Sequence, residues 1–176
     1  MNDTRAAVSV KQRARFNSQL GAAAGGNIKI IAISAGEGNG WYFSADVLRA
    51  SLPLWEGVEC FIDHDWKARS LRDLAGVCHD ARWCHEHSGV KLSLRPVGPA
   101  AALLEEAAAA MFTRVEPCPR VGFSADLVFA ADGRQVTRIE QVLSVDLVMH
   151  PARGGEFLSA DVEPGLTREQ EQLKLK

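Results

Sequence analysis

The sequence predicts a mainly β fold with peripheral helices, its strands forming a mostly antiparallel, barrel-like sheet. Six segments have the length and the β-branched, apolar character of strands: residues 27–34, 58–62, 74–83, 90–94, 121–130 and 135–149. They are not regularly interleaved with helices, which argues against a doubly wound parallel sheet. The last two meet at Asp132-Gly133, a dipeptide suited to a hairpin turn.

Each element has a local cause. The run NIKIIAIS at 27–34 reads as a buried strand, and Gly36, Gly38 and Gly40 mark a loop after it. Ser44 is a good N-cap for a short helix over 45–51, which Pro53 stops. The strand at 58–62 ends in Asp63-His64-Asp65. A polar turn, His85-Glu86-His87-Ser88-Gly89, separates the next two strands. Residues 99–113 form the strongest helix, with proline in the first turn and a run of strong helix formers; Glu116-Pro117-Cys118-Pro119 breaks it. Pro151 closes the final strand.

The 176 residues suit one domain able to bury its own core. Residues 27–160 are read as that domain, residues 1–26 as a flexible arm, and residues 161–176 as a linker leading into a polar helical tail. With a net charge of −2, the chain has no basic field of the kind that binds nucleic acid. No apolar run approaches the roughly 20 residues that span a bilayer. Cys60, Cys78, Cys84 and Cys118 accompany no export signal and are read as reduced thiols in a cytoplasm.

Ser124, in Val121-Gly122-Phe123-Ser124-Ala125-Asp126, is the candidate nucleophile. A serine hydroxyl attacks only when a neighbouring base takes its proton, and His64, just past a strand end, is the most placeable base. An acid that orients the imidazole could be Asp146, Glu140 or, as a third histidine, His150. A three-residue hairpin loop would pair Ser124 with Glu140 and leave Asp146 on the same face; a two-residue loop would turn Asp146 to the other face. A separate stretch, Cys78 to His87, gathers two cysteines and three histidines that could bind zinc. Strand alternation would place Cys78 and Cys84 on one of its faces and His79 and His85 on the other. The glycines at 36–40 lack the lysine and long helix of a phosphate loop.

Four stretches, in order, resemble the prohead maturation proteases of tailed phages, a family distantly similar to herpesvirus assemblin proteases. They are Gly38-Asn39-Gly40-Trp41-Tyr42-Phe43 with Val47-Leu48; the run GVECFIDH ending at His64; VGFSAD around Ser124; and SVDLVMHPA from Ser144 with Gly154-Gly155. The resemblance implies a serine protease on a closed, mostly antiparallel β-barrel flanked by helices. Ser124 would be nucleophile, His64 base and Asp146 the third member, with His150, Glu140 and Ser144 as alternatives. Ser144 stands where some members carry an acid. Arg153, Gly154 and Gly155 are candidate oxyanion stabilisers. No cofactor is implied. The substrates would be the phage scaffold and major capsid proteins, and the protease itself. It would act inside the immature capsid in the host cytoplasm, as a monomer or a homo-oligomer, with neither nucleic acid nor membrane as partner. Two rivals stand beside this reading: a non-catalytic module that binds scaffold or shell protein, and a zinc hydrolase built on Cys78–His87.

Overall fold

The structure, a computed structural model, describes residues 26–63, 69–113, 117, 120–151 and 154–160. His64, Cys118, Arg153, nearly all of the expected arm and the whole expected tail lie outside the described residues.

Nine strands and two α-helices are present among them. The strands are β1 (Ile28–Ser34), β2 (Gly36–Gly38), β3 (Trp41–Phe43), β4 (Glu59–Phe61), β5 (Leu74–Cys84), β6 (Gly89–Pro96), β7 (Val121–Asp132), β8 (Gln135–Met149) and β9 (Glu156–Ala160). The helices are α1 (Ala45–Ala50) and α2 (Ala101–Thr113), and two short 3-10 turns span Leu52–Trp55 and Leu71–Asp73. Strands β2 and β3 replace the expected glycine loop. Asn39 (φ 50°) and Gly40 (φ 79°) are both left-handed, as the tight two-residue turn of this hairpin requires. Strand β9 lies beyond Pro151, where no further strand was expected.

Strands form two open sheets, in the orders β4-β5-β6-β1-β9 and β2-β3-β8-β7. The expected closed barrel is therefore corrected. Among the described residues each sheet ends in two edge strands, β4 and β9 in one and β2 and β7 in the other. One parallel bridge among the described residues, Ile62↔Leu147, links the two sheets without closing either. Within the sheets the pairings are antiparallel, except for β3 with β8.

The core collects the inward faces of both sheets. Ile30, Leu92 and Leu94 from the first meet Phe123 and Val145 from the second, all fully buried, and each such side chain contributes about 1.5–3 kcal/mol. Helix α1 begins at Ser44, whose hydroxyl accepts from Val47 N at 3.3 Å, and it drops Leu48 into this core. Trp55 is buried with its indole N–H satisfied by Ser51 Oγ at 3.0 Å. Helix α2 buries Ala101, Leu104 and Ala108, a helical stripe that packs beside β5.

Candidate active site

The site grows from the β7–β8 hairpin. Asp132 pairs with Gln135, so the connection has two residues, Gly133 and Arg134, with Gly133 at φ 58°. A regular ladder from that turn would turn Asp146 away from Ser124. Instead the register shifts three times, between Asp126 and Leu127, Val128 and Phe129, and Ala130 and Ala131. Each shift adds one residue to β8: Thr137, Glu140 and Leu143 stand in the ladder without a cross-strand partner. Ser124 is thereby the direct partner of Asp146, and Asp126 of Ser144. The pleat puts these four side chains on one face.

Glu140 does not pair with Ser124. It occupies one of the bulges, faces solvent and binds Arg138 Nη2 at 2.7 Å. His150 is four residues past Asp146, about 13 Å along an extended strand. It is exposed, left-handed at φ 53°, and gives its backbone N–H to Arg120 O at 2.9 Å.

Asp146 and Ser144 are both fully buried. Ser144 Oγ donates to Asp146 Oδ2 at 2.9 Å. Arg69 approaches the same oxygen at 3.7 Å and donates to Asp126 Oδ2 at 2.7 Å and to Ser144 Oγ at 2.5 Å. Its guanidinium lies 5.6 Å from the centre of the Phe61 ring. One arginine thus bridges two carboxylates and the hydroxyl between them. Behind this group, burial pushes the Cys60 and Cys78 thiols up, and the Asp146 charge adds to that effect at both.

Ser124 opens outward, onto a cleft of about 240 Å³. Asn39, Trp41 and Phe43 also line it, with Phe129, whose ring meets Trp41 edge-on at 5.1 Å and Phe43 at 5.6 Å. Ala32 and Ile33 of β1 contribute to the lining. Its polar side chains are Ser124, Asn39 and Asp126, set among apolar side chains and exposed backbone.

His64 is outside the described residues, but its neighbour is not. Asp63 (φ 62°) donates its backbone N–H to Leu147 O at 2.9 Å, and Leu147 follows Asp146. Its preceding residue, Ile62, makes the bridge between the sheets. The chain therefore enters the segment containing His64 one rung from Ser124 and Asp146, and leaves it at Arg69, which binds Asp126 and approaches Asp146.

Gly155 packs against β7 just ahead of Ser124, and Gly154 against Ser34 at the end of β1. Gly155 O accepts from Phe123 N at 3.2 Å, and a Cβ on Gly155 would overlap the Phe123 carbonyl. Gly154, left-handed at φ 57°, would bring a Cβ to 2.5 Å from Ser34 Oγ. Only glycine fits either place without displacement.

The Cys78–His87 stretch is divided rather than gathered. A bulge between His79 and Arg82 adds one residue to β5, so Cys78 pairs with Leu94 and Cys84 with Gly89. These partners are five residues apart on β6, so Cys78 and Cys84 lie on opposite faces, not on one as alternation predicts. Among the described residues, no group of three or more His, Cys, Asp or Glu is disposed to hold a metal.

Arg69 and Asp126 are the site residues that sequence reasoning missed. Asp126 was legible in principle, two positions from Ser124 on the same strand face. Arg69 carries no such signal, because its place depends on a loop that returns to β8 from the other sheet. Compared with family models, curated proteins and solved structures, the chain matches none.

Proposed function

We propose that this chain is a serine endopeptidase of the prohead-maturation type. The observation that carries the reading is the Ser124–Asp146 rung: a cleft-facing hydroxyl directly opposite a buried carboxylate, with the segment containing His64 starting one rung away. In the proposed reaction His64 accepts the Ser124 proton as Ser124 Oγ attacks the scissile carbonyl. Asp146 holds the imidazole in one tautomer and stabilises the imidazolium that forms. His64 then returns the proton to the leaving amine, and water hydrolyses the acyl-enzyme by the same relay. Backbone N–H groups of the Arg153-Gly154-Gly155 segment are the proposed oxyanion donors. Scaffold and capsid-protein extensions, and the chain itself, are the proposed substrates, cleaved within the immature capsid without a cofactor.

The test is to incubate the full chain with a fluorophosphonate probe and, separately, with the matching scaffold and capsid proteins. Labelling at Ser124, and cleavage that Ser124→Ala lowers by roughly 10⁴-fold or more, are expected. Folded protein that neither takes the probe nor cleaves would overturn the reading in favour of a binding module.

A further inference from the structure

Away from Ser124, a second nucleophilic group stands in a chain of hydrogen-bonding side chains. Cys84 Sγ lies 3.4 Å from His87 Nδ1. On the far side of the same ring, His87 Nε2 lies 3.3 Å from Glu156 Oε1. Three elements supply these residues: the end of β5, the β5–β6 turn and the start of β9. Their meeting follows from the sheet register. Cys84 pairs with Gly89, while Lys91, two residues on, pairs with Ile31, whose other partner is Glu156. Cys84 and Glu156 therefore share a face, and the turn brings His87 between them.

The order of atoms fixes the roles. A carboxylate only accepts, so Nε2 carries the hydrogen directed at Glu156, and in the neutral ring Nδ1 offers its lone pair to the thiol. Base, orienter and nucleophile are aligned as in other activated serine and cysteine sites. Access is open: Cys84 is partly exposed and the His87 side chain is 26% exposed. The charged and titratable groups around it are Arg82 and Lys91, paired two rungs away on the same face, with His85 and Glu86 in the same turn.

We propose that Cys84, His87 and Glu156 form a thiol–imidazole–carboxylate relay that makes Cys84 a site of covalent modification by small carbon electrophiles. In the modifying step His87 Nδ1 takes the thiol proton and the sulfur attacks the electrophilic carbon. The bond to the leaving group breaks with its electron pair, and the proton stays on an imidazolium facing Glu156. The two described cysteines that lack this arrangement, Cys60 and Cys78, are fully buried.

Iodoacetamide is the probe, with iodide as leaving group, and the rate at each cysteine is read by peptide mass spectrometry on the full chain near neutral pH. Cys84 should react at least about tenfold faster in the folded chain than in the same chain unfolded in urea. Burial alone would slow it, as it should slow Cys60 and Cys78. His87→Gln should remove the acceleration, and Glu156→Gln should reduce it, with unchanged melting temperatures. Folded Cys84 reacting no faster than unfolded Cys84, or a folded His87→Gln chain reacting as the wild type does, would overturn the proposal. Because the readout is alkylation, the result is independent of any peptidase activity at Ser124.

Discussion

Asp146 is completely buried while its cross-strand partner Ser124 opens onto the cleft, so a single rung of the β7–β8 ladder runs from core to surface. The carboxylate has two tasks in this position: it receives Ser144 and Arg69 on one oxygen, and it stands next to the proposed reaction centre. Asp146→Asn should therefore lower peptide turnover by roughly 10²–10⁴-fold, since an amide cannot stabilise an imidazolium as an anion does. It should also cost about 1–3 kcal/mol of stability, because an amide fits the buried donors less well. Glu140→Gln and His150→Ala, both at exposed positions, should change turnover only a few-fold. Steady-state kinetics and urea melts on the three variants separate the cases. If His150→Ala were the most damaging, His150 rather than Asp146 would orient the base.

Arg69 should matter beyond stability. Its guanidinium joins Asp126 on β7 to Ser144 and Asp146 on β8, with side-chain exposure of 18% for the arginine and 22% for Asp126. Partial exposure discounts the ion pair, so Arg69→Ala should cost about 1–3 kcal/mol rather than the larger loss of a fully buried pair. Arg69→Lys restores charge but not the fork that spans several oxygens. If Arg69 positions Asp146, both variants should lower kcat more than they raise KM, and should shift the acid limb of the pH–rate profile. A change confined to melting temperature would make Arg69 a structural brace only.

The strands were legible because their apolar, β-branched runs are long and bounded by turn residues; β1, β5, β6, β7 and β8 fall where those runs lie. What pairs with what was not. Three one-residue shifts along β8 decide that Ser124 meets Asp146 and not Leu143, its partner in an unbroken ladder from the two-residue turn, and no local residue announces a bulge at Thr137, Glu140 or Leu143. The same holds for Cys78 and Cys84, separated by a bulge at Asp80, whose φ of 56° is invisible to strand periodicity. Barrel closure failed for a related reason. Whether edge strands meet depends on the accumulated twist and register of both sheets, which no single segment encodes.

Gly155 should be intolerant of any side chain. Its carbonyl accepts from Phe123 N, and a Cβ would collide with the Phe123 carbonyl, backbone that cannot yield without moving β7 beside Ser124. Gly155→Ala should lower the melting temperature by several degrees, and should lower activity further than that loss explains when assayed well below melting. By contrast Gly133→Asn, at an open turn position where a Cβ meets nothing, should be nearly neutral because asparagine tolerates left-handed backbone. Equal effects from the two substitutions would contradict the close approach of Gly155 to β7.

The buried thiols set an alkaline limit on stability. Burial raises the Cys60 thiol well above its ordinary value of 9.0, with Cys78 and then Asp146 adding to the effect; Cys78 is raised by burial first and Asp146 next. In the folded chain both thiols keep their protons at pH values where the unfolded chain has lost them. The unfolded state then binds fewer protons, so stability falls as pH rises. This contribution is fully present below about pH 8 and declines through the unfolded value toward the raised folded ones, by at most about 1.4 kcal/mol per pH unit for each thiol. Urea midpoints of wild type, Cys78→Ala and the Cys60→Ala, Cys78→Ala double variant, compared at about pH 8 and about pH 10, isolate the effect from other titrating groups. Each alanine should lower stability at the lower pH through the space it leaves, yet flatten the fall between the two pH values. A double variant whose stability declined with pH as steeply as the wild type's would show that these thiols are not protonated against their surroundings.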